Sequence, residues 1–124
     1  MKTKRVLIID DEADIREATQ MCLEIIGDWT VILASSGYEG LAKAVDEKPD
    51  VILLDIMMPG MDGLTTMQRL RENSDTAQIP IILLTAKAQS SEQRQFNQLG
   101  IAAIITKPYD PYNLSNQISA ALSR

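Results

Sequence analysis

An α/β domain, with a parallel five-stranded sheet covered by helices on both faces, is the fold class that this sequence predicts. Three observations carry it. All-aliphatic runs at Val6-Leu7-Ile8-Ile9, Val51-Ile52-Leu53-Leu54 and Ile81-Ile82-Leu83-Leu84 read as strands buried on both faces, the pattern of a parallel sheet. Stretches of helical period separate them, so strand and helix alternate five times along the chain. The strands also run into polar residues at their carboxyl ends, where an open α/β sheet places ligands and chemistry.

Taken in order, Arg5 to Ile9 is the first strand and runs into Asp10-Asp11-Glu12. Residues 14–26 follow as a helix with Ile15, Ala18, Cys22 and Ile25 at helical spacing, and Gly27 supplies a stop. Residues 29–34 make the second strand. Ser36-Gly37-Tyr38-Glu39 fits a capping box for a helix whose Tyr38, Leu41, Ala42 and Val45 share a face, and Lys48-Pro49 ends it. The third strand closes on Asp55, after which Pro59-Gly60 and Asp62-Gly63 form a double turn, Asp62 capping a helix with Leu64, Met67 and Leu70 on one side. The fourth strand ends in Thr85-Ala86. A polar helix over residues 90–99, with Phe96 and Leu99 as its clear apolar positions, closes at Gly100. Residues 101–105 form the fifth strand, ending in Thr106-Lys107-Pro108. Asp110-Pro111 then reads as N-cap and first position of a last helix carrying Leu114, Ile118 and Leu122.

Right-handed crossovers turn such a (βα)5 chain into a three-layer sandwich, and for this size the flavodoxin-like strand order 2-1-3-4-5 is expected. With 124 residues, one domain spanning residues 1–124 is expected. A formal net charge of −5 argues against direct binding to nucleic acid or to an anionic membrane surface. No apolar run is long enough to span a bilayer, residues 1–5 lack a long apolar leader, and the single Cys22 suits a reducing compartment, so a cytoplasmic location is expected. The chain has no histidine, which excludes Ser-His catalysis, histidine metal sites and phosphohistidine carriers.

In the 2-1-3-4-5 order the first and third strands are neighbours about 4.8 Å apart, so Asp10, Asp11 and Asp55 meet at one sheet edge. Thr85 and Lys107 flank the same crevice. Carboxylates held together repel unless a cation joins them, and hard oxygen ligands favour Mg²⁺ or the similar Mn²⁺. Mg²⁺ keeps open positions that phosphoryl oxygens fill. An ionised Asp55 is then a nucleophile for phosphorus, with Lys107 and the Thr85 hydroxyl stabilising the equatorial oxygens. Singly, each residue has an ordinary reading: Asp10-Asp11 as a helix cap, Asp55 as a turn residue, Thr85 as a strand end, Lys107 as a solvated charge. Their order and spacing together favour the phosphoryl chemistry.

These residues resemble the response-regulator receiver domain of two-component signalling over essentially the whole chain. The resemblance implies that Asp10 and Asp11 bind Mg²⁺, that Asp55 is the phosphoacceptor, and that Met57 lends its backbone carbonyl to the metal. Thr85 matches the switch hydroxyl, and Lys107-Pro108 matches the family's Lys-Pro pair, whose bond is commonly cis. It further implies a histidine kinase or phosphotransfer protein as donor. The output would be a downstream target protein, or a second copy, bound through the face made by the fourth helix, fifth strand and last helix. The chain would catalyse only its own phosphorylation and dephosphorylation, and it would be a stand-alone regulator or part of a longer one. The family usually has an aromatic residue three before the lysine; here it is Ile104, β-branched and stiff. The signal is therefore expected to pass through the loop after Thr85 and the helix over residues 91–99.

Two other classes stand beside this one. An aspartate-nucleophile phosphohydrolase of the haloacid dehalogenase kind places a second Asp two residues after the first, where this chain has Met57. A phosphorylation-independent interaction module on the same fold would not need the intact acidic set, although Ile104 leaves room for it.

Overall fold

The computed structural model describes residues 4–56, 61–85, 98, 100–106, 109–110 and 112–123. Among these run β1 (Arg5–Ile9), α1 (Ala13–Ile25), β2 (Thr30–Ala34), α2 (Gly37–Glu47), β3 (Val51–Asp55), α3 (Gly63–Glu72), β4 (Ile81–Thr85), β5 (Ala103–Thr106) and α4 (Leu114–Leu122). The strands form one parallel sheet in the order β2-β1-β3-β4-β5, the flavodoxin-like arrangement expected.

The aliphatic strands explain the layers. Successive side chains point to opposite faces, so the interior positions of β1, β3 and β4 must all be apolar when both faces are covered, and the polar residues Arg5, Asp55 and Thr85 stand at strand ends. Val6, Ile8 and Leu53 pack with Leu23 of α1 and with Leu114 and Ile118 of α4. Leu7, Ile9, Ile52 and Leu54 pack on the other face with Ala44 of α2 and with Met67 and Leu70 of α3. Each such fully buried aliphatic chain contributes on the order of 1.5–3 kcal/mol relative to leaving it in water.

Two helices are turned from the orientation their apolar residues suggested. On α1 the buried residues are Thr19 and Leu23, while Ala18 is exposed and Ile25 is 76% exposed. Thr19 is accommodated because its hydroxyl donates to the Ile15 carbonyl at 2.8 Å and is hydrogen-bonded to the Tyr109 hydroxyl. On α2 the buried residues are Gly37, Gly40 and Ala44, and Tyr38 points to solvent. That helix lies close to the sheet: a Cβ on Gly40 would sit 2.4 Å from Ile9 Cδ1. Small residues make the inner face because there is no room for large ones.

Terminations also differ. The left-handed conformation after α1 belongs to Asp28 (φ 57°), not Gly27, whose missing side chain leaves space for Ser115 and Trp29. Gly100, expected to close the helix over residues 90–99, is itself left-handed (φ 77°). The last helix begins at Leu114 with Asn113 as N-cap, rather than at Asp110-Pro111. Asp110 instead caps the turn before it, Oδ1 accepting the Tyr112 N–H at 3.0 Å. A side chain that satisfies the amide two residues on favours an isolated turn as readily as a helix start.

Candidate functional site

β1 and β3 lie side by side, with Ile9 opposite Leu54. The next residue on each strand is an aspartate, so Asp10 and Asp55 emerge together at the carboxyl edge of the sheet. Asp10 extends the ladder by one bond, its N–H donating to Ala34 O at 3.1 Å. Both acids are buried, Asp10 at 0% and Asp55 at 3% exposure, while Asp11 lies at the rim. One carboxylate oxygen from each of Asp10, Asp11 and Asp55 falls within 4.8 Å of the others.

Asp10 is held on three sides. Besides the N–H bond, its Oδ1 accepts the Glu12 N–H at 2.9 Å and its carbonyl accepts from Arg16 Nη1 at 2.7 Å. Asp10 and Asp11 do not serve as a side-chain cap of α1: the N-cap is Glu12, and it makes no side-chain cap bond. Asp11 Oδ1 is buried with no hydrogen-bond partner among the described residues. A buried orphan carboxylate oxygen beside two more carboxylates is an arrangement that a hard divalent cation satisfies. The residues present therefore fit such an ion.

The turn after β3 is drawn back against the strand. Ile56 N–H reaches Leu84 O at 3.3 Å, and Gly63 N–H donates to Ile56 O at 3.0 Å. A Cβ on Gly63 would stand 2.6 Å from Ile56 Cα and 3.0 Å from Asp55 O, so only glycine lets α3 begin this close to the strand tip. Asp62 caps α3 as expected, accepting the Thr65 N–H at 2.8 Å.

Asp55 is opposite Leu84 on β4, and Thr85 follows, opposite Thr106 of β5. The Thr85 backbone thus ends its strand at the edge that carries the acids. The Thr85 hydroxyl, the Met57 carbonyl, Lys107 and the Lys107–Pro108 bond lie outside the described residues, as does most of the segment 90–99. Ile104 is half-buried, opposite Leu83, against the cluster of Leu54, Met67 and Leu70. An open groove of about 690 Å³ lined by Leu41, Val45, Arg69 and Asn73 lies towards the carboxyl ends of α2 and α3, away from the acids.

Sequence reasoning missed Arg16. It stands near the start of α1, where the helix dipole disfavours a cation, and that misplacement is the signal that it has a specific partner. Nearby Glu39 accepts from the Ser35 N–H, which with smaller contributions from Lys43, the Ser35 hydroxyl and Arg16 holds its carboxyl below the usual range despite some burial.

Comparison with known proteins follows the same lines. The chain is 41% identical, over its full length, to the phosphate regulon transcriptional regulatory protein PhoB of Pseudomonas aeruginosa, covering 54% of that protein. It is 40% identical over 97% of its length to the DNA-binding dual master transcriptional regulator RpaA of Synechocystis, of which it covers 49%. The chain thus spans about half the length of these curated relatives. Among solved structures it is similar to the chemotaxis protein CheY4 of Vibrio cholerae, with a TM-score of 0.91 and 28% identity over 97% of this chain and 99% of that one. The sequence profile of the response regulator receiver domain matches residues 6–119. With the strand order, the acidic edge and the profile in agreement, the chain belongs to the response regulator receiver domain family.

Proposed function

We propose that this chain is the phosphoacceptor of a two-component phosphorelay and takes a phosphoryl group onto Asp55. The observation that supports it most is the meeting of Asp10, Asp11 and Asp55 within 4.8 Å at the carboxyl edge of the sheet. Asp10 and Asp11, with one Asp55 oxygen and by resemblance the Met57 carbonyl, would hold Mg²⁺. The ion supplies charge to offset that on the incoming phosphoryl oxygens. The other Asp55 oxygen attacks phosphorus. As that bond forms, the bond from phosphorus to the donor breaks, and the leaving imidazole or carboxylate keeps the electron pair. Thr85 and Lys107 would bind the equatorial oxygens.

The donor is a histidine kinase or phosphotransfer protein, and the output is altered binding of a target protein or a second copy through the face that includes β5 and α4. No helix among the described residues is long and apolar enough to cross a membrane, which agrees with a cytoplasmic site of action. The chain carries one phosphoryl group for a time rather than turning over phosphate esters, since Met57 stands where a hydrolase of the haloacid dehalogenase kind has its second aspartate. Intact-mass analysis after incubation with acetyl phosphate tests the proposal. One added phosphoryl per chain is expected, abolished by EDTA and by Asp55→Asn; equal labelling of Asp55→Asn overturns it.

A further inference from the structure

We propose that Arg16 is a positioning residue for the acidic edge: its guanidinium holds the Asp10 carbonyl and so sets the turn over residues 10–12 on which the Asp10 and Asp11 carboxylates converge. This rests on the phosphoacceptor reading and adds to it a residue that touches neither metal nor phosphoryl group.

The chain leaves the sheet at Asp10. Its N–H still has a sheet partner in Ala34 O, but at this point its carbonyl turns towards α1 and accepts from Arg16 Nη1 at 2.7 Å. Arg16 is itself fixed at the other end, its N–H donating to Glu12 O at 2.9 Å. Glu12 N–H in turn donates to Asp10 Oδ1 at 2.9 Å. Asp10, Glu12 and Arg16 therefore close a ring of three hydrogen bonds. Cutting the Arg16 bond frees the peptide that joins Asp10 to Asp11, and a rotation there moves both carboxylates at once. Arg16 is half-buried and its bond to the Asp10 carbonyl is only partly exposed to water.

Charge alone argues against an arginine here. A cation near the start of a helix opposes the dipole, and a cation close to a metal site repels the metal. Glu39 offsets only a little of that charge, Arg16 being the smallest of the influences that hold its carboxyl low. What remains in favour of Arg16 is the hydrogen bond.

Charge and geometry predict opposite results for one substitution, which makes the test decisive. If Arg16 acts only through its field, Arg16→Gln removes a repulsive charge and Mn²⁺ binds more tightly. If it positions the carboxylates, Arg16→Gln weakens Mn²⁺ by about tenfold or more, as is typical when the partner of a ligand is lost. Electron paramagnetic resonance of free Mn²⁺ in titrations of wild type, Arg16→Gln and Arg16→Lys reads the difference. Because a single donor is used, Arg16→Lys is expected to recover most of the affinity. At saturating Mn²⁺ the acetyl phosphate labelling rate of Arg16→Gln should return close to that of wild type, the mark of lost binding rather than lost chemistry. Unchanged or tighter Mn²⁺ binding by Arg16→Gln overturns the role, and so does Arg16→Lys binding as weakly as Arg16→Gln. If Arg16→Gln does not fold, Arg16→Lys alone decides: affinity near wild type supports the role, and a large loss overturns it. Failure of wild type to bind Mn²⁺ or to be labelled would instead overturn the phosphoacceptor reading itself.

Discussion

Leu23 and Ile25 stand two residues apart on α1 in opposite surroundings, the first fully buried and the second 76% exposed. Leu23→Ala is accordingly expected to cost about 2–5 kcal/mol in urea denaturation, from lost transfer energy and the cavity left behind. Ile25→Ala should stay within about 0.5 kcal/mol, as surface changes do. Comparable losses at both positions would show that α1 is rotated from the orientation described. Gly63 has a sharper constraint, because an added methyl would press on Ile56 Cα and the Asp55 carbonyl. Gly63→Ala should cost about 1–3 kcal/mol as overpacking. On the proposed phosphoacceptor role of Asp55, it should also slow acetyl phosphate labelling, because the strand tip must shift. A stable variant labelled at the wild-type rate would contradict the close approach. Arg71 shows the same dependence on specific partners. Burial pushes its guanidinium down from the usual range, and it is held by the carbonyls of Ala77, Ile79 and Gly100 at 2.8–3.1 Å.

At the scale of the element, α2 shows how local rules and tertiary packing divide the work. Its start was legible: Ser36 accepts the Glu39 N–H at 3.1 Å, as a capping box requires. The reciprocal half is shifted by one residue, since Glu39 reaches the Ser35 N–H and hydroxyl rather than Ser36. Ser36→Ala should cost about 1 kcal/mol. The Glu39 carboxyl lies below its ordinary value when folded, chiefly through the Ser35 N–H. Its contribution is therefore fully present above the unfolded pKa and is lost as pH falls through the folded one. Glu39→Gln should destabilise the protein near neutral pH and match wild type in strong acid. A stability difference independent of pH would remove the carboxylate from the explanation. The inner face of α2 was not legible, because Gly37, Gly40 and Ala44 give little hydrophobic signal while exposed Tyr38 gives a strong one.

On the scale of the whole molecule, the acids and the tryptophan occupy opposite edges of the sheet. Trp29 precedes β2, whose first residue pairs with Arg5, whereas Ala34 at its far end pairs with Ile9 beside Asp10. Five residues of strand separate the two edges by about 16 Å. Trp29 instead meets Ser115 Oγ at 2.9 Å and lies under Lys4. On the proposed metal role of the acidic edge, Mg²⁺ at about 100 times its Kd should raise the unfolding free energy by about 2.7 kcal/mol, because the dispersed acids of the unfolded chain would not hold it. Asp11→Asn should lose most of that gain, while native Trp29 emission barely changes on adding metal. A strong metal-dependent quench in the folded protein would contradict the placement.

Among the described residues, the order of the elements, the parallel sheet and the identity of the acids at its edge were determined by the sequence alone; the helix expected over residues 90–99 lies almost wholly outside them. Strand periodicity is local, and an aliphatic run that stops at Asp10 or Asp55 reports its own burial and its own end. The tertiary structure decided what depends on distant neighbours. It set the 4.8 Å meeting of Asp10, Asp11 and Asp55, the faces that α1 and α2 bury, and the bond between Thr19 and Tyr109, ninety residues apart. It also gave Arg16 its partner: a lone arginine near a helix start has no reason to be there until the turn over residues 10–12 folds back beneath it and offers the Asp10 carbonyl.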